Sequence, residues 1–287
     1  MSRREPPAPP EPLGAPTVDA HTHLDACGCD SPETVVAAMD RASAVGVVGA
    51  VTVADDLPAA RSAVQAAHWD PRVYAAVALH PTRTAAVSDD EFAEIERLAA
   101  DPRVVAVGET GLDYYWDYSP PAAQQESFRW HIDLAKRLGK PLMIHDRDAH
   151  ADVLRILREE GAPETVVFHC FSGDAAMARE CAAAGYVLSF AGTVTFRNAE
   201  DLREAAVVPP EDLLLVETDA PFLTPHPNRG RGNEPFCLPW TVRGLAELRG
   251  AQADSLAEVT LRNARRVFGA DLWTGVTSPG GPGSRSA

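Results

Sequence analysis

Short apolar runs rich in β-branched residues alternate along this chain with longer stretches in which apolar residues recur every three or four positions. The short runs predict eight strands, at residues 18–21, 46–53, 73–79, 104–108, 142–145, 166–169, 186–190 and 213–217. The stretches between them predict seven helices, at 32–45, 57–68, 89–100, 122–138, 149–160, 174–184 and 199–206. Two further helices are predicted at 238–248 and 254–268.

Strands this apolar are buried on both faces, and a helix between each pair makes their sheet parallel. Eight such units in a chain of 287 residues predict one closed (β/α)₈ barrel, a TIM barrel. An open doubly wound sheet is the alternative, but no Gly-rich phosphate loop follows the first strand. We therefore assign a single barrel domain to residues 17–272.

The two ends of the chain differ in composition from this region. Residues 1–16 are rich in Pro and charge, and residues 273–287 are rich in Gly, Ser and Pro. Such segments bury too little apolar surface to order themselves, so we predict disordered tails. Prolines follow Arg3 and Arg4 where an export signal needs an apolar stretch, and the chain has no run of about 18 apolar residues. We therefore expect a soluble, cytoplasmic protein without a membrane segment.

Charge and cysteine content narrow the functional classes. The formal net charge of −15 argues against an extended basic surface that binds duplex nucleic acid, although a nucleic-acid end could still enter a pocket that holds cations. The five cysteines form an odd set without a disulfide framework, which suits a reducing compartment. Cys27 and Cys29 lie close to two histidines, but no second Cys pair is near, and we assign them no zinc-binding role.

Potential metal ligands collect where the predicted strands end, and they are His21, His23, Glu109, His145, His169 and Asp219. His21 and His23 are two positions apart, so both imidazoles project to the same side of an extended strand. Because the carboxyl ends of the strands meet at one rim, all six side chains converge there. Buried together, four imidazoles and two carboxylates would repel or stay unsatisfied without cations. Two divalent metal ions would satisfy all six.

This mixture of donors suits hydrolysis. Imidazole binds zinc and similar ions, and a carboxylate can bridge two ions about 3.5–4 Å apart. A water activated between such ions attacks near neutral pH, while a further carboxylate holds its proton and delivers it to the leaving oxygen. The identity of the ions stays open among zinc, manganese and magnesium.

The ligands stand in motifs that resemble those of the TatD family of metal-dependent deoxyribonucleases, within the amidohydrolase superfamily. The likeness runs over nearly the whole predicted barrel, and its motifs include Asp19-Ala20-His21-Thr22-His23, Gly108-Glu109-Thr110-Gly111-Leu112-Asp113, Ile144-His145-Asp146-Arg147, His169-Cys170-Phe171-Ser172-Gly173 and Glu217-Thr218-Asp219-Ala220-Pro221. Residues 228–235 differ slightly from the more frequent Arg-Gly-Lys-Arg-Asn-Glu-Pro pattern of the family. This departure leaves the substrate contacts of that loop in doubt.

The resemblance implies a TIM barrel of the metal-dependent hydrolase type and a ligand assignment. One metal is held by His21, His23, Glu109 and Asp219, and Glu109 bridges to a second metal held by His145 and His169. Glu109 and Asp219 are the implied catalytic residues, with Asp219 as the proton acceptor for the attacking water. The usual activity of the family is cleavage of phosphodiester bonds in DNA, commonly from an end and on single strands.

Candidate substrate-binding residues are His80, Arg147, Arg229 and Arg231. His80 ends the predicted third strand and points to the same rim. Arg147 could bind a phosphate oxygen, or it could instead pair with Asp146 or Asp148. Arg229 and Arg231 lie in a Gly- and Pro-rich loop, where solvated arginines are also common.

Other residues have competing interpretations. Asp113 either orients a neighbouring ligand or caps its loop. The aromatic residues 114–116 either stack on unpaired bases or cover the apolar floor of their loop. His68, His131, His150 and His226 are expected on helix surfaces or in loops.

The leading interpretation is a monomeric two-metal phosphodiesterase that removes nucleotides from single-stranded DNA ends. Two alternatives stay open. The same cations would also polarise the carbonyl of an amide or ester, as in an aminoacyl-tRNA deacylase. A metal-dependent scaffold without turnover is the second alternative, and the complete ligand set speaks against it.

Overall fold

The computed structural model describes residues 4–274, and a parallel sheet of eight strands forms its centre. The strands are β1 Thr17–Thr22, β2 Val47–Val53, β3 Val73–Val77, β4 Val104–Asp113, β5 Leu142–Arg147, β6 Val166–Phe168, β7 Val187–Phe190 and β8 Leu214–Val216. Each strand pairs with the next in sequence order. A parallel bridge between Thr22 and Ala220 joins the segment after β8 to β1. The predicted (β/α)₈ barrel is confirmed.

Within the described residues, one α-helix follows each of the first seven strands, and two α-helices follow β8. They are α1 Pro32–Ser43, α2 Leu57–Trp69, α3 Asp89–Ala99, α4 Pro121–Leu138, α5 His150–Glu160, α6 Ala175–Ala183, α7 Glu200–Ala206, α8 Leu238–Arg249 and α9 Ala253–Phe268. Within the described part of the chain, no helix has both the length and the apolar character needed to cross a bilayer.

Helix boundaries follow local signals in the sequence. The side chain of Ser31 accepts a hydrogen bond from the amide of Thr34 and starts α1 at Pro32, whose fixed φ suits the first helical turn. Gly139 ends α4 with a φ of 61°, in the left-handed region that favours glycine. These caps explain why the predicted bounds of the helices differ from the observed ones by only a few residues.

Strand β4 is longer than predicted, because it continues past Gly108 to Asp113. Gly111 has a φ of 142° and pairs with His145 of β5. A Cβ atom at this position would lie 2.1 Å from the carbonyl oxygen of His145, so only glycine allows β4 to stay against β5 here. The extension carries both Glu109 and Asp113 to the side of His145.

Trp273 closes the amino-terminal end of the barrel and is only 4% exposed. Its indole N–H donates to the carbonyl oxygen of Arg72 at 2.8 Å, and its ring meets that of Tyr74 edge-on at 5.4 Å between centroids. A Cβ atom at Gly49 would lie 2.0 Å from the indole nitrogen, so the ring fits only against glycine. Trp273 therefore belongs to the core, although it falls within the predicted tail 273–287.

The beginning of the chain also differs from the expected disordered tail at 1–16. Leu13 and Ala15 are buried, and the amide of Leu13 donates to the carbonyl oxygen of Val45 at 3.1 Å. The amide of Gly232 donates to the carbonyl oxygen of Glu5 at 3.0 Å. Single apolar anchors and backbone hydrogen bonds hold this Pro-rich segment, and composition does not reveal them. The remaining parts of the predicted tails, 1–3 and 275–287, lie outside the described residues.

Candidate metal centre

The structure brings together the six predicted ligand side chains at the carboxyl end of the barrel. His21 and His23 come from the end of β1 and the residue after it, and His145 comes from β5. The other three are supplied by β4 and by the turns after β6 and β8. Five of the six line a cavity of about 640 Å³, and His21 lies fully buried beside them. A cavity of this size is typical of a small-ligand site.

Four donor atoms form a first set on one side of Glu109. His21 Nε2 lies 3.2 Å from His23 Nε2 and 3.6 Å from Glu109 Oε1. Asp219 Oδ1 lies 3.7 Å from His21 Nε2 and 3.4 Å from His23 Nε2. Ligands held about 2.0–2.2 Å from one tetrahedral ion stand about 3.3–3.6 Å apart. The spacing of this set therefore fits one ion.

A second set uses the other carboxylate oxygen of the same glutamate. Glu109 Oε2 lies 2.8 Å from His169 Nε2 and 3.2 Å from His145 Nδ1. The two imidazole nitrogens are 3.4 Å apart. One carboxylate thus faces two separate groups of nitrogen donors, as a bridging ligand would.

The imidazoles are held in orientation through their outer nitrogens. His23 Nδ1 donates to the carbonyl oxygen of Val53 at 2.9 Å, which leaves the lone pair of Nε2 facing the centre. His145 Nε2 lies 3.0 Å from Asp113 Oδ2, which leaves Nδ1 facing Glu109. Asp113 also accepts from the amides of residues 115 and 116 through Oδ1. It therefore orients a ligand and caps its loop at the same time.

Glu217 holds His169 in the same way, and the sequence did not reveal this role. Glu217 Oε1 lies 3.2 Å from His169 Nδ1 and accepts from the amide of Cys170 at 2.8 Å. Its other oxygen, Oε2, is buried without a hydrogen-bond partner. The signal available in the sequence was the position of Glu217 two residues before Asp219, at the end of β8.

Asp19 is a second buried carboxyl group that sequence reasoning left without a role. It accepts from the amide of Thr218 at 2.9 Å and from its hydroxyl at 2.5 Å, which ties β1 to the end of β8. Burial raises the pKa of Asp19 to about 8, although the hydrogen bonds from Thr218 oppose the shift. This tie fixes the strand end that carries His21 against the turn that carries Asp219.

Charges within the centre compensate one another. Burial would raise the pKa of Glu109, but His169 and His21 hold it well below its usual range. Burial would lower the pKa of His23, but Asp219 and Glu109 raise it to about 9. Protons carried by imidazoles such as those of His23 and His169 therefore balance the negative charge of the carboxylates when no cation is bound. Divalent ions would replace these protons, so the donor set fits metal binding that releases protons.

Two of the predicted substrate-binding residues line the cavity. His80 Nδ1 accepts from the amide of Thr82 at 3.2 Å, and its Nε2 lies 3.9 Å from Glu109 Oε2. The guanidinium of Arg147 lies over the ring of Tyr115, with Cζ 3.9 Å from the centroid. Within residues 4–274, Arg147 makes no ion pair, including with the two aspartates that flank it.

Other predictions lie away from the cavity. The guanidinium of Arg229 covers the ring of Phe196 at 4.0 Å, and neither Arg229 nor Arg231 is among the residues that line the cavity. His131 is fully buried in α4 and not on a helix surface as expected. Its Nε2 accepts from the amide of Leu79, and its Nδ1 donates to a carbonyl oxygen one helical turn earlier. A helical pattern alone does not show that a polar residue faces a strand end.

A sequence profile of the family described as TatD related DNase matches residues 18–269. The chain belongs to this family. It is 61% identical over 257 residues to the Mycobacterium tuberculosis protein named uncharacterized metal-dependent hydrolase TatD, and the match covers 88% of this chain and 97% of that relative. It is 36% identical over 240 residues to the 3'-5' ssDNA/RNA exonuclease TatD of Musicola paradisiaca, covering 81% and 90% of the two chains.

The fold agrees with solved TatD structures. The crystal structure of YJJV, a TatD homologue from Escherichia coli K12, superposes with a TM-score of 0.81 at 30% identity, covering 88% of this chain and 97% of that one. The predicted TatD membership and the class of metal-dependent hydrolase are therefore confirmed. The individual ligand and substrate roles stay predictions.

Proposed function

We propose that this TatD-type hydrolase is a two-metal phosphodiesterase that removes nucleotides from single-stranded nucleic-acid ends. The observation that carries the proposal is the position of Glu109, whose two oxygens face two separate sets of imidazole donors. A bridging carboxylate between paired ions is typical of hydrolases that cleave phosphodiester bonds. The name of the Musicola paradisiaca relative, an exonuclease on single-stranded DNA and RNA, supports the substrate class.

The ligand sets divide between the two ions. His21, His23 and Asp219 would hold the first ion together with Glu109, and His145 and His169 would hold the second with the same glutamate. Zinc, manganese or magnesium bound there would polarise phosphoryl oxygens and lower the pKa of water toward neutrality. Asp219 would take the proton of the attacking water and return it to the leaving oxygen, and its position in the cavity next to both histidines of the first set supports this role.

Two further side chains would position the substrate. Because His80 Nδ1 accepts from the amide of Thr82, the neutral ring carries its proton on Nε2, which faces the cavity as a donor to a phosphate oxygen. Arg147 offers a guanidinium that no carboxylate of the described chain neutralises, and it can bind a second phosphate oxygen pair. Both residues line the cavity that the candidate ligands also line, so they would hold a phosphodiester inside the same cavity as the activated water.

The test is digestion of end-labelled single- and double-stranded DNA and RNA after metal stripping and after re-addition of each ion. We expect activity to be lost on stripping, to return with a divalent ion, and to favour single strands. Parallel panels of amide and ester substrates, including aminoacyl-tRNA, separate the alternatives. Hydrolysis confined to those panels would overturn the proposal.

Substitutions of the candidate metal ligands test whether hydrolysis takes place at the metal centre. His21→Ala and Asp219→Ala proteins are expected to stay folded and to lose roughly 10²-fold or more in kcat/KM. His68→Ala is the matched control, because His68 is a half-exposed histidine on α2 that pairs with Asp101 away from the cavity. Equal activity of wild type and Asp219→Ala would contradict the proposed proton acceptor. Biological rescue by a variant without turnover would instead favour a scaffold.

A further inference from the structure

Exposed aromatic side chains concentrate at the mouth of the metal cavity. Tyr115 is 55% exposed, Trp116 43% and Tyr118 64%. Together with Phe222 they make up four of the six exposed large hydrophobic side chains in residues 4–274. Trp116, Tyr118 and Phe222 line the cavity itself. An apolar patch that a soluble protein exposes beside a candidate active site marks a surface for binding.

Hydrogen bonds and ring contacts hold the three exposed aromatic residues after β4, which are Tyr115, Trp116 and Tyr118. The amides of Tyr115 and Trp116 donate to Asp113 Oδ1 at 3.0 and 2.9 Å. The other oxygen of Asp113 contacts His145 at 3.0 Å, so one carboxylate ties the aromatic segment to a candidate metal ligand. The rings of Trp116 and Tyr118 stack with 5.4 Å between centroids and 7° between planes. The pair therefore presents two parallel ring planes beside the cavity, and both side chains are exposed to solvent.

The charges around the mouth decide what this surface can bind. Arg147 is the one Lys or Arg that lines the cavity among the described residues, while Asp25 and Asp55 line it as well. The whole chain carries a formal net charge of −15. Phosphate neutralisation therefore contributes little to the binding of a polyanion here. Beyond the phosphate held by the cations, His80 and Arg147, a nucleic-acid end would therefore gain further affinity from contacts to the bases.

We propose that Trp116 and Tyr118 form a stacking platform for the unpaired bases next to the scissile phosphate. The proposal rests on the proposed function and adds to it the origin of the preference for single strands. Unpaired bases expose their faces to aromatic rings, whereas paired bases already stack within the duplex and must first be extruded. Arg147, held over the ring of Tyr115, would bind the phosphate that connects the stacked bases.

Binding can be measured apart from hydrolysis. We would measure the anisotropy of a labelled 10-nucleotide single strand and of a hairpin duplex, using Asp219→Ala protein so that the substrate stays intact. We expect tighter binding of the single strand, an affinity roughly 10-fold lower when Trp116→Ala or Tyr118→Ala is added, and near-normal affinity with Trp116→Phe or Tyr118→Phe, which keep a ring. Val207→Ala, an exposed apolar position on the segment after α7, is the matched control.

Abasic substrates separate this proposal from the proposed function. Single strands with and without bases at the two terminal positions carry the same phosphates but differ in stacking. We expect the wild type to prefer base-bearing ends and the Trp116→Ala change to shrink that preference roughly 10-fold. Absence of any nucleic-acid hydrolysis would overturn the proposed function. Unchanged single-strand affinity in the Trp116→Ala protein, or an equal loss on both substrates, would overturn the platform, as would tighter binding of the hairpin.

Discussion

The two ends of the barrel are built from the same strands, but one end is closed by apolar packing and the other holds a cluster of polar side chains. At the amino-terminal end, Trp273 fills the opening against Tyr74 and Gly49, and its one polar atom is bonded to a backbone oxygen. At the carboxyl end, buried imidazoles and carboxylates lie within 2.8–3.7 Å of one another around Glu109 and leave a cavity. The first arrangement removes apolar surface from water. The second keeps imidazole and carboxylate groups buried in the barrel.

This contrast teaches that stability and chemistry can be separated along one strand. Apolar packing at the closed end stabilises the fold without constraint from a substrate. The open end keeps costly polar groups buried because they are paired with one another, as Glu109 is with His145 and His169. Substitutions at the closed end should therefore change the free energy of unfolding, and substitutions at the open end should change the activity.

The Trp273→Ala substitution gives the largest expected effect on stability. Removing a buried indole leaves a cavity and an unpaired carbonyl oxygen at Arg72, so we expect a loss of about 3–5 kcal/mol in the free energy of unfolding. Urea denaturation measures the change, and kcat/KM of the remaining folded protein should be unaltered. Trp116→Ala, at the open end, is the matched control and should cost less than about 1 kcal/mol. Similar losses in the free energy of unfolding from the two substitutions would show that the closed end is no more important for stability than the open end.

The sequence carried enough information for the strand order and for the convergence of the six candidate ligands at the open end. Those ligands follow from local patterns, because each one stands where an apolar run stops. The packing at the closed end was harder to predict from the sequence, because Trp273 lies in a stretch whose composition is typical of a disordered tail. Its place depends on Arg72 and Gly49, which are about 200 residues away in the chain. Such long-range contacts leave no local pattern.

Details of the open end were also beyond local patterns. Gly108 and Gly111 suggest the end of a strand, yet β4 continues because Gly111 lets β5 approach. Glu217 is near Asp219 in sequence, but only the structure shows that it contacts His169. The sequence left two interpretations open for the aromatic residues 114–116, because their exposure depends on how the loop folds over Asp113.

His131 makes the free energy of unfolding depend on pH, and this dependence can be tested. The side chain supports the segment that carries His80 but does not line the cavity. Burial lowers the pKa of His131 to about 4, from an ordinary value of 6.5. A histidine whose pKa is lower in the folded state contributes stability above pH 6.5 and loses that contribution as the pH falls toward 4. Between pH 7 and 4.5 the loss amounts to about 2–3 kcal/mol.

The His131→Gln protein removes this titration while keeping a polar side chain near the amide of Leu79. Urea denaturation at both pH values should show a smaller acid loss in the variant than in the wild type. Histidines of the metal centre titrate in both proteins, so their effect cancels in the difference. An identical acid loss in the two proteins would show that His131 is not the buried neutral group inferred from the structure.

The smallest expected change in the free energy of unfolding comes from breaking the ion pair between Arg41 and Glu234, at the outer side of the open end. The Arg41 guanidinium on α1 donates to Glu234 Oε2 at 2.6 and 2.9 Å, and the arginine is 45% exposed while the glutamate is 9% exposed. Asn233, the residue before Glu234, donates to the carbonyl oxygen of Thr218. The pair thus supports the turn that holds Asp219.

Because one partner of this ion pair is half exposed, Glu234→Gln should lower the free energy of unfolding by only about 1 kcal/mol, and high salt should reduce the difference from the wild type. A loss as large as that of Trp273→Ala would show that the open end also depends on its outer contacts for stability.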